Sequence, residues 1–220
     1  MAIICDGMGG LQKGELASAT VVRAFSKWFE EELPFELNHV DMNVIGGKWT
    51  FLLKDLNLKL LKYSSRQGES LGTTFSGILF IENQYVIVHV GDSRVYQIDS
   101  ALNQLTTDQT FVAREVSKGN MTIEQSKKLI KRRNLIASMR RSIKKLWNHK
   151  VLLGTTKKGA YMLCSDGFRH EITEEEIYES FIPKKLSNKK MMHKQMQYLI
   201  QQVKKRQEKD NISVILIKAE

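Results

Sequence analysis

The hydrophobic period of this chain changes from helical to extended, and that change limits the folds open to it. Two helices are predicted in the first 60 residues from apolar residues at helical spacing: Ala17, Val21, Phe25, Trp28 and Phe29, then Trp49, Leu52, Leu53, Leu56 and Leu60. A loop with Pro34 and Gly46-Gly47 is expected between them. Residues 73–99 are rich in Thr, Val, Ile, Phe and Tyr, which predicts three short strands in an antiparallel meander.

The second half of the chain returns to a mixture of strands and helices. Apolar runs at 159–164 and 212–217 are typical of buried strands. Between them, Thr173 and the glutamates that follow it indicate the start of one helix. A second helix is indicated by an apolar face: Met192, Met196, Leu199, Ile200 and Val203. These elements together predict a layered α/β (α+β) sandwich.

Length and composition favour one domain over residues 1–220. The chain has 220 residues, of which 42% are hydrophobic and two are proline, enough for one sizeable core. It contains neither a membrane-length apolar run nor a secretory leader pattern, so we expect a cytoplasmic protein. Cys5 and Cys164 have no zinc-binding spacing and are expected to be reduced, buried strand residues.

The excess positive charge lies in one segment. Residues 125–150 hold ten Lys and Arg and no acidic residue, and the formal net charge of the whole chain is +10, so the rest of the chain is neutral. Such a segment can be a solvated helical face or can attract an anionic partner such as a phosphorylated protein. Nucleic-acid binding is a weaker alternative, because the segment lacks interleaved aromatic residues apart from Trp147.

Three aspartates stand at the ends of predicted strands. Asp6 and Asp166 each follow an apolar run and precede glycine, and Asp210 comes just before the last strand. An Asp-Gly pair alone is more often a turn. Carboxylates on rigid strand ends can converge on one point, however, and hard cations such as Mg²⁺ and Mn²⁺ prefer several oxygen ligands. The three aspartates are therefore interpreted either as ligands of a metal site or as residues of ordinary turns.

An ordered series of six motifs resembles that of the bacterial type 2C (metal-dependent) Ser/Thr protein phosphatases. The motifs are Asp6-Gly7-Met8-Gly9-Gly10 with Gly14-Glu15-x-Ala17-Ser18, Gly72-Thr73-Thr74, Val90-Gly91-Asp92-Ser93-Arg94-Val95-Tyr96, Leu105-Thr106-x-Asp108, Leu163-Cys164-Ser165-Asp166-Gly167-Phe168, and Asp210-Asn211-Ile212-Ser213-Val214. The resemblance runs from residue 3 to the C-terminus. It implies two antiparallel sheets flanked by helices in four layers, with a binuclear Mn²⁺ or Mg²⁺ centre at one end.

The resemblance also implies roles for individual residues. Asp6 would bridge both metals, the Gly7 carbonyl would add an oxygen ligand, and Asp166 and Asp210 would hold one of the two ions. Asp92 would belong to a third, weaker site. The implied reaction is hydrolysis of phosphoserine and phosphothreonine by a metal-activated water. The chain shows no phosphate-cradling cysteine loop and no Ser/His/Asp arrangement, which argues against a nucleophilic side chain. The implied partners are phosphorylated proteins of a Ser/Thr kinase pathway, with the phosphatase itself a monomer.

Several positions depart from the family pattern. Met8 stands where some relatives have a histidine acid, Gln109 replaces a histidine, and His170 occupies a place often filled by an extra acidic ligand. Residues 111–134 resemble the mobile flap of bacterial members. Relatives begin one or two strands earlier, with an arginine for the phosphate, so the N-terminus is expected to be incomplete. The alternative function is thus a phosphatase-like binding module or a truncated product with impaired catalysis.

Overall fold

A computed structural model describes residues 1–8, 11–68, 71–109, 115–116, 118–120, 122, 124–125 and 150–220. The strands are β1 (Ala2–Ile4), β2 (Gly7–Met8), β3 (Gly72–Thr73), β4 (Phe75–Ile81), β5 (Gln84–Val90), β6 (Arg94–Ile98), β7 (Leu102–Gln104), β8 (Lys150–Thr155), β9 (Gly159–Cys164) and β10 (Val214–Ala219). The helices are α1 (Leu11–Glu31), α2 (Leu33–Glu36), α3 (Met42–Gln67), α4 (Asp166–Arg169), α5 (Glu174–Phe181) and α6 (Lys189–Lys205), with a 3₁₀ turn at Pro183–Lys185.

The strands form two antiparallel four-stranded sheets and one short ribbon. The first sheet has the order β1-β4-β5-β8, the second β10-β9-β6-β7, and β2 pairs with β3. Helices α1 and α3 pack on the first sheet, and α4, α5 and α6 pack on the second. The predicted four-layer sandwich of two antiparallel sheets flanked by helices is therefore confirmed.

Alternation along the strands explains why three separate cores exist. On β9, Tyr161 and Leu163 enter the core between the sheets, whereas Ala160, Met162 and Cys164 face the helices of the second sheet. Successive side chains of a strand point to opposite faces, so a central strand with both faces covered must be apolar throughout. All six residues of β9 are indeed buried.

The predicted meander is wrong at its third strand. β4 and β5 pair in the first sheet, but β6 pairs with β7 and β9 in the second. The chain crosses between sheets at Gly91, whose φ of +107° is accessible mainly to glycine. Periodicity reports a strand but not its partner, which is why the sequence suggested three adjacent strands.

The predicted loop between the first two long helices is shorter than expected. Asp41 accepts hydrogen bonds from the N–H groups of Asn43 and Val44 and starts α3 there. Gly46-Gly47 thus lies inside α3, while Pro34 lies in the first turn of α2. A Cβ atom at Gly46 would come within 2.6 Å of the Val151 side chain on β8. This glycine therefore allows close helix–sheet packing and does not mark a loop.

The remaining local predictions from the sequence are confirmed at some positions and wrong at others. Thr173 and Glu176 form a capping box at the start of α5. Cys164 is buried on β9, whereas Cys5 is half-buried and lies one residue beyond β1; both thiols are free. Phe29 is 38% exposed rather than core. Among the helices that the structure describes, none combines the length and apolar character of a membrane span.

Two predictions on the basic part of the chain fall outside the described residues. The segment 125–150 is described only at its two ends, and the flap-like stretch 111–134 only at isolated positions. Their roles stay predictions.

Candidate metal centre

Asp6 is held by backbone pairing at the end of β1. Its N–H donates to Thr74 Oγ1 at 2.9 Å, and its carbonyl accepts from the Thr74 N–H at 2.8 Å and from Thr73 Oγ1 at 3.0 Å. The next residue, Gly7, pairs with Thr73 across the β2–β3 ribbon. These bonds fix the backbone direction from which the Asp6 carboxyl leaves.

The Asp6 loop also lies directly against α1. A Cβ atom built on Gly7 would come within 2.3 Å of the backbone carbon and oxygen of Gly14. Real Cβ atoms do not approach backbone so closely, so Gly7 is required by contact between two segments of main chain. Gly7 and Gly14 thus position Asp6 through packing, in addition to any part that the Gly7 carbonyl plays.

Asp166 and Asp210 lie on two loops that touch. Asp166 opens α4 and accepts a hydrogen bond from the Gly167 N–H at 2.7 Å. Ser165 Oγ donates to the Asn211 carbonyl and accepts from the Ser213 N–H, both at 3.1 Å. A Cβ at Gly167 would meet the Asn211 carbonyl at 2.5 Å. The last two motifs are therefore bound together by side-chain hydrogen bonds and close backbone contact.

The four predicted metal-site aspartates influence one another electrostatically. Burial raises the pKa of Asp6 well above its ordinary value, and a carboxyl–carboxyl hydrogen bond with Asp166 and the nearby charges of Asp166, Asp210 and Asp92 raise it further. Burial and Asp166 raise the pKa of Asp92 to about 6, although Arg169 opposes that rise. The structure therefore brings Asp6, Asp92, Asp166 and Asp210 into one neighbourhood.

The side chains do not form a closed coordination cage as they stand. In the parts of the chain that are described, no group of three or more His, Cys, Asp and Glu side chains is arranged to hold an ion. The donor set nevertheless suits a hard divalent cation, because it consists of carboxylate oxygens whose mutual repulsion a cation would relieve.

A partly buried ion-pair network borders the aspartates. Asp108 receives two hydrogen bonds from Arg94, at 2.8 and 2.9 Å, and lies 3.4 Å from Arg169 Nη2. These guanidinium groups hold the pKa of Asp108 below its usual range, although burial acts in the opposite direction. Arg169 also donates to the Asp92 carbonyl at 3.1 Å. Asp108, which belongs to the fourth motif, thus anchors the loop of Asp92.

The cysteine thiols next to the site are poor nucleophiles. Burial raises the pKa of Cys5 to about 12, with a further contribution from Asp6, and burial likewise raises the pKa of Cys164 to about 12. A thiol needs its thiolate form to attack phosphorus. Both cysteines therefore agree with the prediction that no cysteine acts covalently.

Two residues next to the aspartates were not identified as contributors from the sequence. Glu208 accepts hydrogen bonds from the N–H groups of Lys209 and Asp210, at 2.7 and 2.8 Å. His170 lies between Asp166 and Glu208. The spacing of four residues from Asp166 to His170 on a helix could have indicated that contact, whereas no sequence pattern singles out Glu208.

Comparisons with known proteins agree on one family. The profile of the family described as "Protein phosphatase 2C" matches residues 1–216. The serine/threonine protein phosphatase PstP of Mycobacterium tuberculosis is 33% identical over 192 residues; the match covers 80% of this chain but only 33% of PstP. The serine/threonine phosphatase stp of Listeria monocytogenes is 26% identical over 224 residues, covering 99% of this chain and 83% of that protein.

Solved structures give the same result for the fold. The structure of Stp1 from Staphylococcus aureus aligns with a TM-score of 0.77 at 27% identity, covering 99% of this chain and 83% of that one. The catalytic domain of PstP in complex with two manganese ions aligns with a TM-score of 0.73 at 26% identity, covering 97% of this chain and 85% of that domain.

Proposed function

Because the chain belongs to the protein phosphatase 2C family, we propose that it is a metal-dependent hydrolase of phosphoserine and phosphothreonine in proteins. The observation that carries the proposal is the neighbourhood of Asp6, Asp166, Asp210 and Asp92, whose charges raise the pKa of Asp6. The names of the relatives support the substrate class. Its substrates would be proteins phosphorylated by a Ser/Thr kinase, and the enzyme would act as a monomer.

Two divalent ions, Mn²⁺ or Mg²⁺, fit the oxygen donors of this site. Asp6 would serve both ions and the Gly7 carbonyl would add an oxygen ligand. Asp166 and Asp210 would hold one ion, and Asp92 would serve a third, weaker site. The two manganese ions in the related PstP domain support this assignment. When bound, such ions polarise the phosphoryl group and activate water at neutral pH.

The protein itself would hold the aspartate carboxylates in place, and its nearby cysteines would not compete with water as nucleophiles. The hydroxyl groups of Thr73 and Thr74, which hydrogen-bond to the Asp6 backbone, and the contacts of Ser165 with the Asp210 loop keep the carboxylates on rigid supports. The neutral thiols of Cys5 and Cys164 support direct attack by water on phosphorus rather than a phosphoenzyme.

The test is hydrolysis of p-nitrophenyl phosphate and of a phosphothreonine peptide, with and without Mn²⁺. We expect Mn²⁺-dependent turnover that Asp166→Ala lowers by about 100-fold or more, as losses of central charge stabilisation do. Asp55→Ala, which removes an aspartate from the surface of α3, is the matched control and should keep full activity. Turnover without metal, or full turnover in Asp166→Ala, would contradict the mechanism.

Metal binding can be judged separately from turnover. Mn²⁺ should raise the melting temperature of the wild-type chain, because a ligand that binds only the folded state stabilises it. Asp6→Asn should abolish that increase, since it removes the proposed bridging charge and keeps the side-chain shape. Stabilisation by Mn²⁺ without turnover would favour the alternative, a phosphatase-like binding module. No stabilisation at millimolar Mn²⁺ would exclude the binuclear centre.

A further inference from the structure

Glu208 occupies the turn between α6 and the loop of Asp210 and has an almost completely buried side chain, 2% exposed. One carboxylate oxygen accepts hydrogen bonds from the N–H groups of Lys209 and Asp210, at 2.7 and 2.8 Å. The backbone of Asp210 is therefore attached to the carboxylate of Glu208. A substitution of Glu208 would free the peptide group from which the Asp210 side chain leaves.

The second oxygen of Glu208 faces His170. Oε2 lies 3.5 Å from His170 Nδ1 and has no hydrogen-bond partner among the described residues. The other ring nitrogen, Nε2, lies 3.7 Å from Asp166 Oδ2. The imidazole ring therefore lies between the two carboxylates, with one ring nitrogen facing each of them. Glu208 and His170 thus form a continuous series of contacts from the backbone of Asp210 to the carboxylate of Asp166.

This series of contacts connects the loops of Asp166 and Asp210, which are distant in sequence but are proposed to bind the same metal ion. Burying a carboxylate is costly unless charged or polar groups compensate it. Glu208 receives that compensation at Oε1 from the N–H groups of Lys209 and Asp210, and the imidazole of His170 faces Oε2. His170 is itself fixed to α4, because its N–H donates to the Asp166 carbonyl at 3.0 Å. The buried carboxylate of Glu208 and the imidazole of His170, whose side chain is 35% exposed, thus lie between the two proposed ligand loops.

Resting on the proposed function, we infer that Glu208 and His170 are positioning residues that set the Asp166 and Asp210 carboxylates for one metal ion. Glu208 fixes the direction of Asp210, and His170 carries that constraint to Asp166. Substituting a residue that holds a metal ligand in place, without itself binding the metal, typically lowers the metal affinity by roughly 10- to 100-fold. Neither residue needs to touch the substrate for this effect.

The test measures Mn²⁺ affinity of the full chain by titration calorimetry, with Glu208→Gln, His170→Asn and the double variant. Each single change should weaken Mn²⁺ binding by about 10-fold or more. The double variant should be no weaker than the poorer single variant, because both residues act in one series of contacts. Glu175→Gln on α5 and His193→Asn on α6, both exposed, are the matched controls and should bind Mn²⁺ like the wild type.

A purely structural role predicts a different pattern. The free energy of unfolding, measured with urea in the absence of metal, should then decrease in proportion to the Mn²⁺ affinity. The effects of the two single substitutions on Mn²⁺ affinity should also add in the double variant. Either result would overturn the inference. Unchanged affinity in Glu208→Gln and His170→Asn would also overturn it, while loss of binding in Asp166→Asn would show that the proposed metal centre stands. Absence of Mn²⁺ binding in the wild type would instead refute the proposed function. If Glu208→Gln fails to fold, His170→Asn and His170→Gln provide the same comparison, with weakened Mn²⁺ binding expected in both.

Discussion

The loop of Asp6 and the paired loops of Asp166 and Asp210 are held by different means. Asp6 depends on the main-chain contact between Gly7 and Gly14 and on hydrogen bonds between its own backbone and Thr73 and Thr74. Asp166 and Asp210 depend more on side chains, chiefly Ser165 and Glu208, beside one main-chain bond from the Ser165 N–H to the Ser213 carbonyl. Main-chain contact allows no alternative geometry, whereas side-chain bonds can be removed one at a time. A single substitution in the Asp6 loop should therefore cause a large loss of stability, whereas single substitutions in the other two loops should each cause a smaller one.

The largest effect is expected from Gly7→Ala. Its Cβ would overlap the backbone of Gly14 at 2.3 Å, and backbone cannot move aside as a side chain can. We expect the free energy of unfolding to fall by at least about 3 kcal/mol, with loss of Mn²⁺-dependent stabilisation. Urea denaturation with and without Mn²⁺ measures both.

The matched control for Gly7→Ala is Gly47→Ala. A Cβ at Gly47 meets nothing within 4 Å, and the residue lies inside α3, where alanine is favoured over glycine by about 0.5–1 kcal/mol. This variant should be as stable as the wild type or more so. If Gly7→Ala unfolds at the same urea concentration as Gly47→Ala, the main-chain contact has no energetic importance.

Gly167→Ala tests the same kind of contact in the other region. Its Cβ would lie 2.5 Å from the Asn211 carbonyl oxygen and 3.2 Å from Asp210 Cβ. The Asp210 loop is exposed and can shift outward, so we expect a smaller loss of stability, about 1–3 kcal/mol. Mn²⁺ affinity should fall together with stability. A loss as large as that of Gly7→Ala would show that both regions are equally rigid.

The sequence predicted both helical layers and singled out the four aspartates that the structure brings into one neighbourhood, but not how these residues are supported. Asp6 and Asp166 stand out because apolar strands precede them, a local pattern that hydrophobic periodicity reveals. The partner of β6 and the contact of Gly7 with Gly14 depend on the arrangement of distant segments. Glu208 is an ordinary residue in any single-sequence pattern, and its proposed role comes from its burial against His170 and its hydrogen bonds to the Asp210 loop.

Ser165→Ala removes one side-chain support and leaves the others. Ser165 is 2% exposed, and its loss would leave the Ser213 N–H and Asn211 carbonyl without those bonds. Unsatisfied buried groups of this kind cost about 1–3 kcal/mol. We expect a loss near the lower end, because a carbonyl and an N–H beside an exposed loop can reach water. Thermal unfolding checks the loss, with Ser26→Ala on the exposed face of α1 as control; equal melting temperatures would contradict it.

The smallest effect is expected from the exposed pair of Glu176 on α5 and Arg206 at the end of α6. Hydrogen bonds from Arg206 are the main reason that the pKa of Glu176 falls to about 2. A depressed folded-state pKa adds stability above the unfolded-state pKa, about 4.3 for glutamate, and that stability disappears as the pH falls toward 2. Glu176→Gln should therefore lower the urea midpoint slightly at pH 7 and less at pH 3.

Glutamine can keep the capping box with Thr173, so the comparison isolates the charge of Glu176. The effect is small because solvent screens both side chains. The pair lies next to the Glu208 turn but contacts none of the aspartates directly, so Mn²⁺ affinity should not change. Glu30→Gln on α1 is the control for loss of an exposed negative charge. A clear loss of Mn²⁺ affinity in Glu176→Gln would mean that the side chains supporting the Asp210 loop include this surface pair. The Asp210 loop would then depend on side chains even more, compared with the Asp6 loop, than its buried contacts indicate.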